Sequence, residues 1–280
     1  MSRGTSHVSV ESIRIAVLKV SVMLEVRNVS YAYGDVAAVR DVSVAIGEGR
    51  LVALAGPNGS GKSTLLKLIA RVFSAQRGEV LFEDKPLGEW PAKEYARRVG
   101  YLPQDPDPAF PMRAIEVVVS GRAPFLGRFA WESDRDWEEA HRALALCDAT
   151  HLAERYLDEM SGGERKRVFL ARVLAGTPRL ILLDEPFAAL DISHVQQFSS
   201  LLRDVVDRTG CTVVFAAHDL NWAAAESDRM LVMQRGALAL DAPPRDVMRA
   251  EVMRELFGFE AETVTAGDRA WVVPRVPART

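Results

Sequence analysis

The sequence predicts an α/β fold with a mostly parallel core sheet, an N-terminal antiparallel β subdomain and an inserted α-helical subdomain. Three observations carry that prediction. Short runs rich in Val and Leu, broken by Gly34, Gly47-Glu48-Gly49 and Gly78, crowd residues 23–101. Helical patterns dominate from about 105 to 176. Apolar runs and a helical pattern then alternate, which is βαβ logic and implies parallel strands joined by crossovers.

Taken in order, strands are expected at 24–29, 37–46, 51–55 and 79–82, interrupted by a helix over 62–72. In that helix Leu65, Leu66, Leu68, Ile69 and Val72 form an apolar stripe at helical spacing. Asp105-Pro106-Asp107-Pro108 and Pro111 form a loop, and the clearest helices after it are 114–120, 134–147 and 163–175. Strands return at 180–183, 212–217 and 230–233, with a helix near 194–208 between the first two. A helix near 244–257 and a hairpin turning at Gly267-Asp268 close the chain. The main domain is expected over 23–257, with its helical subdomain at about 105–176 and the hairpin tail at 258–280. Residues 1–22 read as an appendage, with Met23 opening the domain, or as a small added strand. Its apolar stretch, Ile13-Arg14-Ile15-Ala16-Val17-Leu18-Lys19, is too short and too interrupted by charge for a signal peptide, and no small-residue cleavage site follows.

Composition narrows the function classes. With 280 residues, 48% hydrophobic, a net charge of −3 and a pI near 6.0, the chain is ordinary globular material. Nothing there calls for nucleic acid as a bulk electrostatic partner. Cys147 and Cys211 sit in unrelated apolar contexts and read as buried free thiols of a reducing compartment. No stretch approaches the roughly 18 consecutive apolar residues that span a bilayer. If the protein serves transport, another chain supplies the channel.

Gly56-Pro57-Asn58-Gly59-Ser60-Gly61-Lys62-Ser63 matches G-x-x-x-x-G-K-[ST]. A chance match is expected in about one chain of this length in a hundred, and the flanking strand and helix lower that further. The reading is a P-loop NTPase. The glycines let successive N–H groups face phosphate oxygens, and the following helix N-terminus adds partial positive charge. Lys62 would reach the β- and γ-phosphates, Ser63 would ligate Mg²⁺, and Thr64 would contact the α-phosphate.

The apolar run 180–183 ends in Asp184-Glu185, where a central strand delivers carboxylates to the edge at which open α/β sheets bind ligands. Alone, such a pair is equally a solvated turn. With a P-loop, Asp184 would hold Mg²⁺ through its water shell and Glu185 would accept a proton from, or orient, the attacking water. A lone histidine after a strand is commonly structural. His218 follows the run 213–217 and here can bond the γ-phosphate and keep Glu185 and the water in line. Tyr33 offers a ring for adenine, with Tyr31 as the competitor and core packing as the plain alternative for either.

Ser161-Gly162-Gly163-Glu164 opens a helix, and its hydroxyl and glycine amides make a second anion-binding end. Together with the P-loop, Gln104, Leu183-Asp184-Glu185, Leu190-Asp191 and His218, in this order, the pattern over about 23–257 resembles the ATP-binding-cassette (ABC) ATPase family. The resemblance implies ATP as ligand, Mg²⁺ as cofactor, and a head-to-tail dimer of two copies. In that dimer Ser161, Gly162 and Gly163 touch the γ-phosphate on the opposite subunit, and the Asp191 segment crosses the interface. Gln104 links Mg²⁺ and water to the helical subdomain. It further implies integral-membrane permease subunits that sense the dimer's motion through short helices seated in a groove near 104–125, an extracellular or periplasmic substrate-binding protein, and a place at the cytoplasmic face of the membrane.

A finer likeness, in Leu190-Asp191-Ile192-Ser193-His194 and Gly121-Arg122-Ala123-Pro124, is to the ATPases of iron-siderophore, haem and cobalamin importers. Met160, Glu164, Phe125 and Phe187-Ala188-Ala189 depart from common forms of these motifs, and none removes a phosphate donor or the base. Another cargo (amino acid, metal ion, exported lipid or drug) is the alternative. A non-transport ABC ATPase acting on DNA or ribosomes is the more distant one, since the chain carries one cassette and no sustained heptads.

Overall fold

The computed structural model describes residues 22–106, 110–267 and 269–275. Apart from Val22, the N-terminal segment read as an appendage lies outside the described residues, as does Asp268 at the tip of the expected hairpin. β1 (Val22–Tyr33) turns at Gly34 into β2 (Val36–Gly47). The turn needs a residue at positive φ, and Gly34 supplies it at +56°. β3 (Leu51–Ala55), buried at every position, leads through the glycine loop into α1 (Lys62–Ile69). β4 (Arg77–Phe82), the short β5 (Lys85–Pro86), α2 (Ala92–Arg98) and β6 (Val99–Leu102) follow. Between β6 and β7 (Leu180–Leu183) lie α3 (Ala114–Val119), α4 (Asp134–Leu146) and α5 (Gly162–Ala175). The remainder runs α6 (Ile192–Thr209), β8 (Thr212–Ala216), α7 (Leu220–Glu226), β9 (Arg229–Gln234), β10 (Ala237–Ala242), β11 (Ala261–Ala266) and β12 (Arg269–Pro274).

The strands form three sheets: an antiparallel one in the order β2-β1-β4-β5, a six-stranded one in the order β10-β9-β3-β8-β7-β6, and the β11-β12 pair. In the large sheet every neighbouring pair is parallel except β9 with the edge strand β10. The strand ends are in register, Leu102 beside Leu183, Leu183 beside Phe215, and Leu54 beside Ala216. The loops that leave β6, β7, β8 and β3 therefore emerge along one edge.

One apolar core, with Leu24, Phe82, Leu54 and Leu66, fills the space between the two larger sheets and α1. The other, with Val118, Leu144, Leu170 and Phe215, joins the opposite sheet face to the helical insertion. Inside the insertion the buried Arg122 guanidinium donates to Asp136 Oδ1 (2.9 Å) and to the Ala175 carbonyl (3.0 Å). Hydrogen bonds from Ser133, aided by Arg122, hold the Asp136 carboxyl down at about 2. The chain thus binds three of its helical segments through one ion pair whose separation would strand a buried charge.

Several expectations are corrected. The helix predicted over 62–72 stops at Ile69, because Arg71 turns left-handed (φ +59°), and Val72 leaves the apolar stripe to become 54% exposed. Residues 23–101 hold a second helix, α2, besides the expected one. The helix predicted near 244–257 is broken into Pro244–Val247, Ala250–Val252 and a wider turn over Met253–Phe257.

Candidate nucleotide-binding and catalytic site

The glycine loop departs from the end of β3, and its two hardest-worked glycines show why glycine is needed. A Cβ on Gly56 (φ +142°) would lie 2.1 Å from the Met233 carbonyl oxygen, and one on Gly61 (φ +102°) 2.2 Å from that of Ala38. Gly236 N–H donates to the Ser60 carbonyl (3.0 Å), tying the loop to the β9–β10 turn. Asn58 and Gly59 are exposed, Pro57 is half-buried, and Ser60 and Lys62 are buried. Lys62 Nζ donates to the carbonyls of Gly56 (2.8 Å) and Pro57 (3.2 Å), so the ammonium sits inside the curl of the loop. Burial lowers its pKa, opposed by the negative charges of Glu185 and Asp184. A group so placed gains strongly from an anion brought within reach.

Ser63 Oγ, on the first turn of α1, donates to Asp184 Oδ1 at 2.7 Å. Tyr101 Oη, from β6, donates to Asp184 Oδ2 at 3.4 Å. Burial raises the Asp184 pKa, the Ser63 bond lowers it, and the Glu185 charge raises it further. Among the described residues no cluster of three His, Cys, Asp or Glu side chains forms a metal cage. The converging Ser63 hydroxyl and Asp184 carboxylate are hard oxygen donors that leave coordination positions for phosphate and water, which suits Mg²⁺.

Glu185 follows at φ +52°, a left-handed backbone rare for a residue with a Cβ. It aims the side chain, 11% exposed, at His218, whose Nε2 contacts Glu185 Oε1. His218 lies two residues past β8. Gln104, two residues past β6, is exposed and has no hydrogen bond among the described residues. The loop after Glu185 is held by Lys166 of α5, whose Nζ donates to the carbonyls of Pro186 (2.8 Å) and Ala188. Burial brings the Lys166 pKa down to about 8, against the pull of Asp105 and Glu185.

Tyr33 closes β1, the residue 46% exposed and its Oη 3.5 Å from Thr64 Oγ1. Tyr31 is covered instead, stacked on Phe73 with ring centroids 5.2 Å apart at 9°. Tyr33 meets Tyr31 (5.1 Å, 82°) and Phe73 (5.7 Å, 84°) only at steep angles and is the more exposed of the two tyrosines beside the loop.

Ser161, Gly162 and Gly163 stand at the start of α5, and no hydrogen bond among the described residues joins them to 56–64. Ser161 Oγ accepts from Glu164 N–H (3.3 Å) while Glu164 Oε2 accepts from Ser161 N–H (2.8 Å). Hydrogen bonding to its carboxylate from the Ser161 backbone N–H, then from the Ser161 side chain, lowers the Glu164 pKa. Gly163 is buried under His194, where a Cβ would fall 2.6 Å from the ring. Asp191 caps α6, accepting from His194 N–H (2.9 Å) and Ser193 Oγ (2.8 Å), which hold its pKa at about 2.

Tyr101 and Lys166 escaped sequence reasoning. The run Val99-Gly100-Tyr101-Leu102 was readable as a strand feeding the same edge. A lysine among the arginines of α5 carried no such signal.

The ABC transporter family model matches residues 39–188, from β2 to just beyond Glu185. This chain belongs to the ABC transporter ATPases. As an ABC ATPase it binds ATP and couples hydrolysis to transport. The hemin import ATP-binding protein of Rhodococcus jostii (strain RHA1) is 38% identical over 244 residues, covering 87% of this chain and 82% of the relative. The iron(3+)-hydroxamate import ATP-binding protein of Bacillus subtilis (strain 168) is 33% identical over 242 residues, covering 86% and 90%. Among solved structures, a chain from an inward-facing, metal-chelate type ABC transporter superimposes with a TM-score of 0.80 at 27% identity, covering 91% of this ABC ATPase and 98% of that chain. No helix among the described residues is long and apolar enough to cross a membrane.

Proposed function

We propose that the protein is the ATPase of an importer for an iron chelate, haem or cobalamin. Two copies work head to tail beneath separate membrane permeases at the cytoplasmic face, and an external binding protein delivers the cargo. The observation that carries the enzymatic part is the single sheet edge at which Lys62, Ser63, Asp184, Glu185 and His218 converge. The cargo reading rests on the hemin and iron-hydroxamate relatives and the metal-chelate neighbour.

Gly56 to Thr64 wrap the phosphates, Lys62 meets the β- and γ-phosphates, and Tyr33 stacks on adenine. Ser63, Asp184 and Gln104 hold Mg²⁺, which when bound neutralises charge developing on the phosphates. Glu185 accepts the proton of the attacking water, and His218 keeps Glu185 and that water in line. Ser161, Gly162, Gly163 and Asp191 serve the nucleotide of the opposite copy, which makes ATP the joint of the dimer.

Deleting the gene in its host is expected to abolish growth on hemin or a ferric siderophore as sole iron source, or uptake of cobalamin, and to leave amino-acid uptake unchanged. Normal growth and uptake on all three would refute the cargo. For the adenine contact, Tyr33→Ala is expected to weaken ATP binding by about tenfold, within the ~1–3 kcal/mol that a base–aromatic stack contributes. Calorimetry reads this directly, and an unchanged affinity would hand the role to another group.

A further inference from the structure

The C-terminal hairpin touches the catalytic machinery through one short helix. β11 and β12 pair only with each other among the described residues, so they extend neither larger sheet. Their buried Ala261 and Val272 join the main core, and Thr263 Oγ1 donates to the Met248 carbonyl (2.7 Å). Three contacts then run from β12 to α7. The Asn221 side chain pairs with the backbone of Val272 in both directions, its Oδ1 accepting from Val272 N–H (2.8 Å) and its Nδ2 donating to the Val272 carbonyl (3.1 Å). Trp271 meets Trp222 edge to face, with centroids 6.3 Å apart at 82°. Arg269 reaches Glu226 at 3.7 Å.

These contacts bear on His218 because of what lies between. Asp219, the next residue, caps α7 by accepting from the N–H groups of Asn221 (2.9 Å) and Trp222 (3.1 Å), the two residues the hairpin grips. The side chain of His218 is 44% exposed, and its one polar side-chain contact among the described residues is Glu185. Packing therefore does little to fix the ring. A two-way amide bridge is a stiff joint, since either half lost leaves a partly buried backbone group unpaired.

We infer that the β11–β12 hairpin is a brace that holds His218 against Glu185, with Asn221 as its joint. Asn221 is a positioning residue that acts through His218 and never meets the nucleotide. The inference rests on the proposed role of His218 at the γ-phosphate.

The test uses the full chain carrying Asn221→Ala, read by ATPase kinetics and by histidine-labelled NMR. The protein has five histidines, so the His218 resonance is assigned by its absence in His218→Ala. Asn221→Ala is expected to move or broaden the His218 resonance and leave the other four in place. It should lower kcat by about tenfold, less than the ~100-fold that a full ångström of misplacement costs. The KM for ATP should hold, because the P-loop is untouched. Should Asn221→Ala fail to fold, Trp271→Leu loosens the same joint from the hairpin side and is read the same way. An unmoved His218 resonance in a folded variant, or an unchanged kcat, would overturn the brace. Wild-type turnover by His218→Ala would instead overturn the role of His218, which separates the two failures.

Discussion

Glu185→Gln is expected to lower ATP turnover by about 10²–10⁴-fold, the range a positioned general base contributes. ATP affinity should persist, and ATP-bound dimers should accumulate. The substitution keeps size, the left-handed backbone at φ +52° and a polar tip for His218 to touch, and removes only the carboxylate. The phosphate cradle is unaltered, since Lys62 bonds to Gly56 and Pro57, and Ser63 to Asp184. On the proposed roles, ATP still enters and joins two copies, but nothing accepts the proton of the attacking water and the joint does not open. Phosphate release measures the first consequence and analytical ultracentrifugation with ATP the second. Wild-type turnover in the purified variant would remove Glu185 from the role of base.

The parts of this site written as local motifs were legible in the sequence. A glycine loop between a buried strand and a helix can be read from eight residues, because close backbone approach to phosphate admits few alternatives. Asp184, Glu185 and His218 could be placed because each follows an apolar run, and the run itself predicts the strand that carries it. The choice between Tyr31 and Tyr33 was not local. The difference in their surroundings comes from Phe73, distant in sequence, which stacks flat on Tyr31 but meets Tyr33 only at a steep angle (5.7 Å, 84°). Tyr101 on Asp184 and Lys166 on the loop after Glu185 are likewise long-range pairings that no spacing announces. In the fold, the early end of α1 depended on Arg71 turning left-handed, against an apolar pattern that invited Val72 into the helix. The strand β10 was missed because its alternation is weak, and it is an edge partner whose place is set by β9.

Mixed dimers of Lys62→Ala and Ser161→Arg copies, built in the Glu185→Gln background, are expected to trap a single nucleotide, whereas neither variant alone traps any. The P-loop of the Ser161→Arg copy and the α5 tip of the Lys62→Ala copy make one intact site, and the other two halves make one doubly broken site. If each site belonged to one chain, both would be broken and nothing would be trapped. The substitutions suit the purpose because each disables by a separate cause. Loss of Lys62 removes the ammonium that sits inside the loop. Arginine at the exposed Ser161 puts a bulky cation at a helix N-terminus, against the helix dipole, and removes the hydroxyl. In the isolated chain that hydroxyl and Glu164 satisfy each other's backbone N–H groups. Toward the Glu164 N–H the hydroxyl only accepts, so its own O–H can donate a charge-assisted bond to a phosphate, which forms only when the opposite copy presents ATP. Counting bound nucleotide in verified heterodimers, with the Glu185→Gln homodimer as the two-site control, gives the answer without requiring turnover. Heterodimers empty of nucleotide beside a fully loaded control would show that the α5 tip does not complete the partner's site, and the dimer would then need another joint than ATP.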